Sequence, residues 1–325
     1  MGNGTTMNWT GGHLSDITVN LTNRSFMFAS TLTFTRNMSG SDINVGNTCG
    51  LSWLSGPVNV TDPAKNSNIS IASGGTFAIS SNATWGATAP VSPPARSYFA
   101  VHNDGRVWSN NTATIVGDYD TRGVTQILSG VLTIAGRAEQ FGGTFELTNN
   151  ATVTVSGPDI ALRIYGGSIV GTGTVNANLT LGTAGGGQSS GYISPGIDTI
   201  PAAPGAVPNV YGIGTITIVG GFQIFSGGMT IDIGAGGSYD KVIVQGTRAA
   251  LSGSLFVRND SKYKPAQETQ LAFLTGPAFI GDFSFKLFSD STGWTDQTNG
   301  QTYGSKVWNT GSSYIVWWFK MMGPM

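Results

Sequence analysis

The sequence is poor in charge, and this shortage excludes several kinds of partner. Only 10% of its 325 residues are charged, and 16 basic residues nearly balance 17 acidic ones, which leaves a formal net charge of −1. Such a chain has neither the basic field that concentrates nucleic acid nor the acidic field that attracts cations. We therefore expect no nucleic-acid partner.

Metal-ligating and disulfide-forming residues are scarce as well. Cys49 is the single cysteine, so it forms neither an intrachain disulfide nor a thiolate cluster, and we interpret it as a small buried side chain. His13 and His102 are too few for a multi-histidine metal site within one chain. The sequence therefore predicts no metal and no cofactor.

Long apolar runs are also missing. No segment approaches the ~18 apolar residues that span a bilayer, so we expect no membrane span. The N-terminus lacks the basic and apolar regions of a signal peptide, and we expect a complete, independently made protein. The Met1-Gly2 start fits the loose myristoylation pattern, although an ordinary polar start is the simpler interpretation.

Glycine, serine, threonine and asparagine are abundant instead, with 48 glycines alone. Between Gly166 and Gly253 they separate short alternating runs of Val, Ile and Thr, with no helical segment between the runs. This pattern is typical of short strands. The sequence therefore predicts an all-β fold.

A repeat of glycine-rich elements indicates how the strands are arranged. Gly142-Gly143-Thr144-Phe145 and Gly166-Gly167-Ser168-Ile169 recur at a spacing in the low twenties, and Gly74-Gly75-Thr76-Phe77 lies about three such periods upstream. One turn of a three-faced β-solenoid uses about that many residues. Stacked turns bury one continuous apolar interior, so we predict a parallel β-helix with capping elements at both ends.

Composition shifts suggest three regions. We expect an N-terminal cap with irregular strands over 1–67, where Trp9 and Trp53 would cover the open end of the stack. The solenoid would occupy 68–257, with proline-bearing loop insertions at 84–96 and 183–213. Residues 258–325 would form a C-terminal cap that ends in an aromatic strand, 313–319.

Several further elements occur in a fixed order within the repeat. They are Gly171-Thr172-Gly173-Thr174-Val175, Ser194-Pro195-Gly196, Gly214-Thr215-Ile216-Thr217-Ile218, Tyr239-Asp240-Lys241-Val242-Ile243-Val244-Gln245-Gly246 and Leu251-Ser252-Gly253-Ser254-Leu255. Over about 124–260 this set resembles the autotransporter-associated β-strand repeat of bacterial surface-protein passenger domains. The resemblance implies a right-handed parallel β-helix displayed outside a cell. A proline-rich insertion, 197–213, lengthens the usual step between two of these elements.

Parallel β-helices often carry glycan-cleaving enzymes, whose chemistry needs clustered carboxylates. The candidates are Asp104, Asp118 and Asp120, with His102 nearby. Asp118 and Asp120 would point to the same side of a strand, but neighbouring glycine and asparagine favour a solvated turn. A Gly-Gly turn separates two further acids, Glu139 and Glu146, and no other carboxylate aligns with them. We therefore predict no catalytic residue.

Two other matches to known motifs have simpler explanations. Gly187–Gly191 fits the nucleophile-elbow pattern but lacks the strand-to-helix context, so the match is accidental. Gly234–Asp240 resembles a calcium-binding nonapeptide but does not repeat, and a loop before a strand at Asp240–Val244 is the simpler interpretation.

Asn-X-Ser/Thr sequons are frequent and matter only if the chain meets a glycosylation machinery. We interpret most of them as strand-edge and turn chemistry. They begin at Asn3, Asn8, Asn20, Asn23, Asn37, Asn59, Asn68, Asn82, Asn110, Asn150, Asn178 and Asn259.

These features favour a non-enzymatic structural protein on the outside of a particle, such as a virion capsid, vertex or fibre component. Its expected partners are other structural proteins of the assembly or further copies of itself, and a surface glycan is another candidate. A cell-surface adhesin passenger, which would need a translocator, is one alternative. A glycan-degrading enzyme of the tail-spike type is the other.

Overall fold

The computed structural model describes residues 5–22, 24–30, 36–87, 99–157, 160–184, 190–196, 212–259, 270–290, 293–296, 305–309 and 313–318. Their regular structure consists of strands, apart from one turn of 3-10 helix at Ala235–Gly237. No helix in these ranges has the length and apolar character needed to cross a membrane. The predicted all-β class is confirmed.

The chain divides into two compact units, Met1–Arg163 and Ile164–Met325. The strands of the first unit follow in chain order. They are β1 (Thr6–Trp9), β2 (Gly12–Ser15), β3 (Thr18–Leu21), β4 (Phe26–Ser30), β5 (Arg36–Ser39), β6 (Asp42–Val45), β7 (Gly50–Ser55), β8 (Val58–Val60), β9 (Ser67–Ile71), β10 (Thr76–Ile79), β11 (Thr84–Ala87), β12 (Phe99–Asn103), β13 (Arg106–Ser109), β14 (Ala113–Val116), β15 (Asp118–Thr121), β16 (Val124–Ile127), β17 (Val131–Ile134) and β18 (Ala138–Val155).

Each strand from β1 to β15 pairs in parallel with the strand three places later. One ladder runs from β1 through β4, β7, β10 and β13 to β16, and the other two start at β2 and β3. β18 bends so that it pairs in turn with β15, β16 and β17. Three consecutive strands therefore make one coil, and we number the coils from coil 1 (β1–β3) to coil 5 (β13–β15), with coil 6 formed by β16, β17 and the start of β18.

The number of residues in one coil follows from side chains that hydrogen-bond between equivalent positions of neighbouring coils. Asn103 and Thr121 are separated by 18 positions, Asn20 and Asn44 by 24. The predicted repeat is therefore one coil of a solenoid-like stack. In the register, Thr76 pairs with Arg106, Arg106 with Val124, and Val124 with Thr144. The glycine-rich element that contains Thr76 and the one that contains Thr144 are therefore three coils apart, as predicted.

The core lies inside the coils, where alternate residues of each strand point. Ile69 and Ile71 are at most 1% exposed, whereas the intervening residue is half-buried. Trp53, in coil 3, is fully buried and packs edge-to-face on Trp85 with ring centroids 5.6 Å apart. The expectation that Trp53 covers an open end is therefore wrong, because two coils precede its own.

The second unit repeats the three-strand pattern. β19 (Ala161–Asn176) begins three residues before this unit and continues into it. The other strands are β20 (Asn178–Leu181), β21 (Gly191–Pro195), β22 (Thr215–Ile218), β23 (Phe222–Ile224), β24 (Gly227–Asp232), β25 (Lys241–Val244), β26 (Ala249–Leu251), β27 (Ser254–Arg258), β28 (Gln270–Thr275), β29 (Phe279–Gly281), β30 (Phe285–Asp290), β31 (Gly293–Asp296), β32 (Ser305–Asn309) and β33 (Ser313–Trp318). The strands from β20 to β27 each pair in parallel with the strand three places later, and β19 pairs with β21 and β22. Pairing becomes antiparallel at β30–β31, β28–β33 and β32–β33.

Several segments predicted to lie outside the solenoid belong to these ladders. The regular pairing starts at β1, within the expected cap 1–67, and includes β28–β30, within the expected cap 258–325. The first four residues of the predicted insertion 84–96 form β11, and β21 lies within the predicted insertion 183–213. Of the two insertions, 88–96, 185–189 and 197–211 lie outside the described residues.

Candidate functional site

The acidic residues singled out in the sequence lie on a strand and not in a turn. Asp118 and Asp120 belong to β15 and point to the same side of it, as alternation requires. The prediction of a solvated turn is wrong for this segment. The corners fall on either side, at Gly117 and at Arg122-Gly123, and leave a four-residue strand between them.

The register extends this outer face into a polar row across successive coils. Ser70 of β9 is paired with His102 of β12, His102 with Asp120 of β15, and Asp120 with Glu139 of β18. The expectation that no further carboxylate aligns with Glu139 is therefore wrong. Periodicity along the chain could not reveal the alignment, because it depends on which residues face each other between coils.

Asp118 acts as a clamp between coils 5 and 6. It is 5% exposed, and its Oδ2 accepts hydrogen bonds from Arg137 Nη2 at 2.9 Å and Nε at 3.2 Å. Its Oδ1 accepts the backbone N–H of Arg137 at 3.1 Å. Both oxygens of this buried carboxylate are therefore committed to holding the next coil.

His102 and Asp120 form a more exposed pair. His102 Nδ1 lies 3.3 Å from Asp120 Oδ2, and the two side chains are 47% and 24% exposed. The hydrogen bond that His102 donates to Asp120 raises the pKa of His102, partial burial opposes the rise, and the charges of Asp120, Asp104 and Asp118 add to it. The second oxygen of Asp120, Oδ1, is buried and accepts no hydrogen bond.

Asp104 is at the corner after β12 and outside the polar row. Its Oδ1 lies 3.9 Å from Arg122 Nη1, and the Arg122 guanidinium lies over the Phe141 ring at 5.2 Å. Both members of the ion pair are more than half exposed, so the pair contributes little to stability.

Glu146 is part of a separate chain of hydrogen bonds. Arg106 Nε donates to Gln126 Oε1 at 2.9 Å, and Gln126 Nε2 donates to Glu146 Oε2 at 2.6 Å. The expected Gly-Gly turn before Glu146 is a bend within the continuous strand β18. Glu146 therefore supports the stacking of three coils and is not available as a free carboxylate.

The chemical capacity of the polar row is limited. Neighbouring parallel strands lie about 4.8 Å apart, so the backbones of the register partners Asp120 and Glu139 have a separation similar to the about 5 Å found between the carboxyl groups of retaining glycosidases. Each of these two carboxylates has a basic neighbour. Asp120 lies beside His102, and Glu139 Oε2 lies 3.8 Å from Arg137 Nη1. Within the described ranges, no group of three or more His, Cys, Asp or Glu side chains is arranged to hold a metal ion.

A cleft of about 330 Å³ lies on the outer face of the ladder that contains β4, β7, β10 and β13. Phe26, 44% exposed, and Trp108 flank it, and small residues form its floor. Cys49 contributes to the lining but is itself 2% exposed, in agreement with its interpretation as a small buried side chain. This cleft was not predicted from the sequence, because its signal is that outward aromatic side chains on two coils face small residues on the coils between them, and that depends on the register.

The segment that resembles a calcium-binding nonapeptide has a structural role. After the turn at Ala235–Gly237, Asp240 is fully buried, and its two oxygens accept the backbone N–H groups of Gly214 and Asp232 at 2.8 and 3.0 Å. The strand begins at Lys241, so the loop interpretation is confirmed with a start one residue later. Residues 187–189 of the nucleophile-elbow match lie outside the described residues.

Several sequon asparagines have structural partners. Asn20 and Asn59 lie in strands and bond to asparagines one coil away, at 2.8 and 3.4 Å. Asn82 and Asn178 instead accept the backbone N–H groups of Thr112 and Gly221, which are distant along the chain, so these bonds are not the local turn bonds expected from the sequence. The amide ladders were not expected, because they again depend on pairing between coils.

We compared the chain with protein-family models, curated proteins and solved structures, and nothing matches.

Proposed function

We propose that this protein is a non-enzymatic structural protein on the exterior of a particle, such as a virion capsid, vertex or fibre component. It acts as a rigid scaffold through lateral contacts with other structural proteins or further copies of itself. The observation that carries the proposal is the ladder pairing, in which strands such as β7 are bonded on both sides by parallel neighbours. Such a stack satisfies its backbone internally and resists local opening.

The outward side chains support the same role. Several are amides that bond to the same position on a neighbouring coil, as Asn44 Nδ2 does to Asn20 Oδ1 at 2.8 Å. The whole chain carries only 10% charged residues. Uncharged, laterally bonded rows suit an element that stays folded in an exposed setting.

The proposal includes a right-handed coil and capped ends. A right-handed path is favoured because parallel strands joined by a crossover are right-handed in about 98% of cases. At the C-terminal end, the antiparallel pairs β30–β31 and β28–β33 would cover strand edges that parallel stacking leaves open.

The insertion 197–211 is the contact arm in this proposal. It leaves and rejoins the second unit at adjacent points, because a side chain added at Gly196 would overlap the carbonyl oxygen of Gly212. Gly214 is then held by Asp240. The insertion can therefore be removed without stretching the coil.

Deletion of 197–211, with Gly196 joined to Gly212 through a short glycine linker, tests the role of this arm. We expect the variant to keep its circular dichroism spectrum and to lose incorporation into the particle. A control that replaces 197–211 by an equally long Gly/Ser sequence should fail to incorporate in the same way. Normal incorporation of either variant would contradict the contact role.

A glycan-cleaving enzyme is the second candidate, favoured by the alignment of Asp120 with Glu139. The test is an Asp120→Asn/Glu139→Gln double variant, assayed on candidate surface polysaccharides beside an Asp104→Asn control. Loss of cleavage in the double variant alone would favour the enzyme, and unchanged activity would exclude this pair.

A further inference from the structure

The cleft on the outer face of the first unit has an aromatic residue at each end and small residues between them. Phe26 of coil 2 and Trp108 of coil 5 both line it, and coils 3 and 4 supply Gly50 and Ala78 to its floor. A Cβ added at Gly50 would lie 2.8 Å from Cδ1 of Phe26, so the Phe26 ring lies close against the Gly50 backbone. The register therefore builds one surface from residues of four coils.

This cleft offers hydrogen-bond donors but no charge. No described residue that lines it is charged. The hydroxyls of Ser52 and Thr76 and the indole N–H of Trp108 bond to no described residue. An uncharged occupant that brings carbonyl acceptors and few N–H groups of its own complements such a surface, because it satisfies these donors without burying unpaired ones.

A proline-rich segment has these properties. Proline keeps its carbonyl but has no N–H, and a polyproline II helix leaves its backbone carbonyls free for a partner. Aromatic-lined grooves bind Pro-x-x-Pro segments in this conformation. The insertion 197–211 reads Ile-Asp-Thr-Ile-Pro-Ala-Ala-Pro-Gly-Ala-Val-Pro-Asn-Val-Tyr, so it contains such a motif at Pro201 and Pro204, and Asp198 is its single charged residue.

The length of the motif agrees with the length of the cleft. Strands β4 and β13, which carry Phe26 and Trp108, are three ladder steps apart, or about 14 Å at about 4.8 Å per step. In a polyproline II helix Pro201 and Pro204 are about 9 Å apart, at about 3.1 Å per residue. The difference leaves room for one aromatic ring to contact each proline, and the two alanines between the prolines match a floor of small residues.

We propose that the cleft binds the proline-rich insertion 197–211 of a second copy of this chain. The inference rests on the proposed scaffold role and identifies the surface that receives its contact arm. The cleft belongs to the first unit and the insertion to the second, so each copy presents a cleft to one neighbour and an arm to another. A contact between two different surfaces propagates from copy to copy and generates a ring or a filament.

Fluorescence anisotropy of a labelled peptide with the sequence 197–211 tests this contact. The receptor is the chain from which 197–211 has been deleted, so that no arm competes, and we expect saturable binding. Trp108→Ala and Phe26→Ala should each weaken binding about tenfold or more, as expected of aromatic anchors. Phe225→Ala removes an exposed aromatic side chain outside the cleft and should leave the affinity unchanged. Phe26 is 44% exposed, so its variant tests the cleft even if Trp108→Ala fails to fold.

The matched ligand control is the same peptide with Pro201 and Pro204 replaced by alanine, which should bind about tenfold more weakly or less. Absence of binding by the 197–211 peptide, equal binding of the alanine peptide, or unchanged binding to both cleft variants would overturn the proposal. Tighter binding of a peptide of residues 88–98, which repeats the motif at Pro90 and Pro93, would also overturn it. So would binding of maltohexaose, a neutral glycan, in place of the peptide.

Mixing two variants shows whether the contact joins different copies. The chain without 197–211 keeps its cleft, and the Phe26→Ala/Trp108→Ala double variant keeps its arm. Analytical ultracentrifugation of the mixture should show a one-to-one complex that neither variant forms alone, and absence of this complex would overturn the proposal. Loss of particle incorporation on deletion of 197–211, without peptide binding, would overturn this inference alone. Peptide binding with normal incorporation would contradict only the proposed role of the arm in the particle.

Discussion

Side chains that join neighbouring coils differ in burial, and their expected contributions differ accordingly. Asp118 is buried and receives three hydrogen bonds from Arg137, whereas His102 and Asp120 share one contact at a partly exposed face. A buried acceptor that loses its partners pays its full desolvation cost, while an exposed ion pair is weakened by solvent. Substitutions at the two pairs should therefore give different results.

Asp118→Ala should lower the free energy of unfolding by about 1–3 kcal/mol, because it leaves Arg137 without its main acceptor. Chemical unfolding followed by fluorescence measures the loss. Asp104→Ala, at an exposed corner pair, should change the value by less than about 0.5 kcal/mol. Equal effects of the two substitutions would contradict the clamp role of Asp118.

The His102–Asp120 pair predicts a small dependence of stability on pH. The pKa of His102 is raised in the folded chain above its unfolded value of about 6.5. The stabilisation is therefore fully present below about pH 6.5 while Asp120 stays ionised, and it is lost as the pH rises through the folded pKa. Asp120→Asn should remove it, at a cost of a few tenths of a kcal/mol.

An NMR titration of the histidine ring protons measures this shift directly. The His102 resonance should titrate at higher pH in the wild-type chain than in Asp120→Asn, with a His13→Gln variant used for assignment. Identical titration curves would show that the pair does not form in solution.

Individual residues were the hardest features to predict from the sequence. Nearby glycine and asparagine predict a turn at Asp118 and Asp120, and a four-residue strand between two corners has too few positions for alternation to show. Arg36 is 0% exposed and gave a signal that composition obscured, since it alternates in phase with the inward Met38. Hydrophobic patterning assigns arginine to the outside, and only the pairing between coils shows where its guanidinium lies.

At the scale of elements, the glycine-rich repeat marks a corner where successive coils touch backbone to backbone. Gly105, Gly123 and Gly143 each directly precede a strand segment of the same ladder. A Cβ added at Gly123 would lie 2.1 Å from the carbonyl oxygen of Gly105, and one at Gly143 would lie 1.9 Å from that of Gly123. These positions have no room for a side chain, because the contact atoms are backbone.

Gly123→Ala should therefore destabilise the first unit by about 1–3 kcal/mol through forced backbone displacement. The matched control is Gly142→Ala, where the nearest atom to the added Cβ is 3.6 Å away, an ordinary contact. Urea unfolding midpoints measure both. A Gly142→Ala loss as large as that of Gly123→Ala would show that close stacking is not the reason for the repeat.

The sequence predicted the elements better than their limits. The spacing of the glycine-rich elements gave the coil length, because each coil must return to the same corner. The strand Thr84–Ala87 was missed since the prolines that follow it extended the predicted loop backwards. The bend inside β18 was expected to be an interruption, although Gly143, at φ of 68°, lets the strand turn the corner.

At the scale of the whole molecule, periodicity predicted an all-β fold of stacked parallel strands but not the division at Arg163 and Ile164. A repeat in the sequence shows which residues occupy equivalent positions. It does not show how many contacts hold one group of coils together. Both units share the three-ladder design, and that design is the basis of the proposed scaffold role.

The location of the protein tests this role most directly. Particles and cell-envelope fractions should be purified from the native source, and the chain quantified in each by mass spectrometry, with antibody labelling of intact particles. The scaffold account predicts a constant number of copies per particle, accessible to antibody without disruption. Recovery of the chain mainly as free protein, or on a cell envelope together with a translocator, would contradict it.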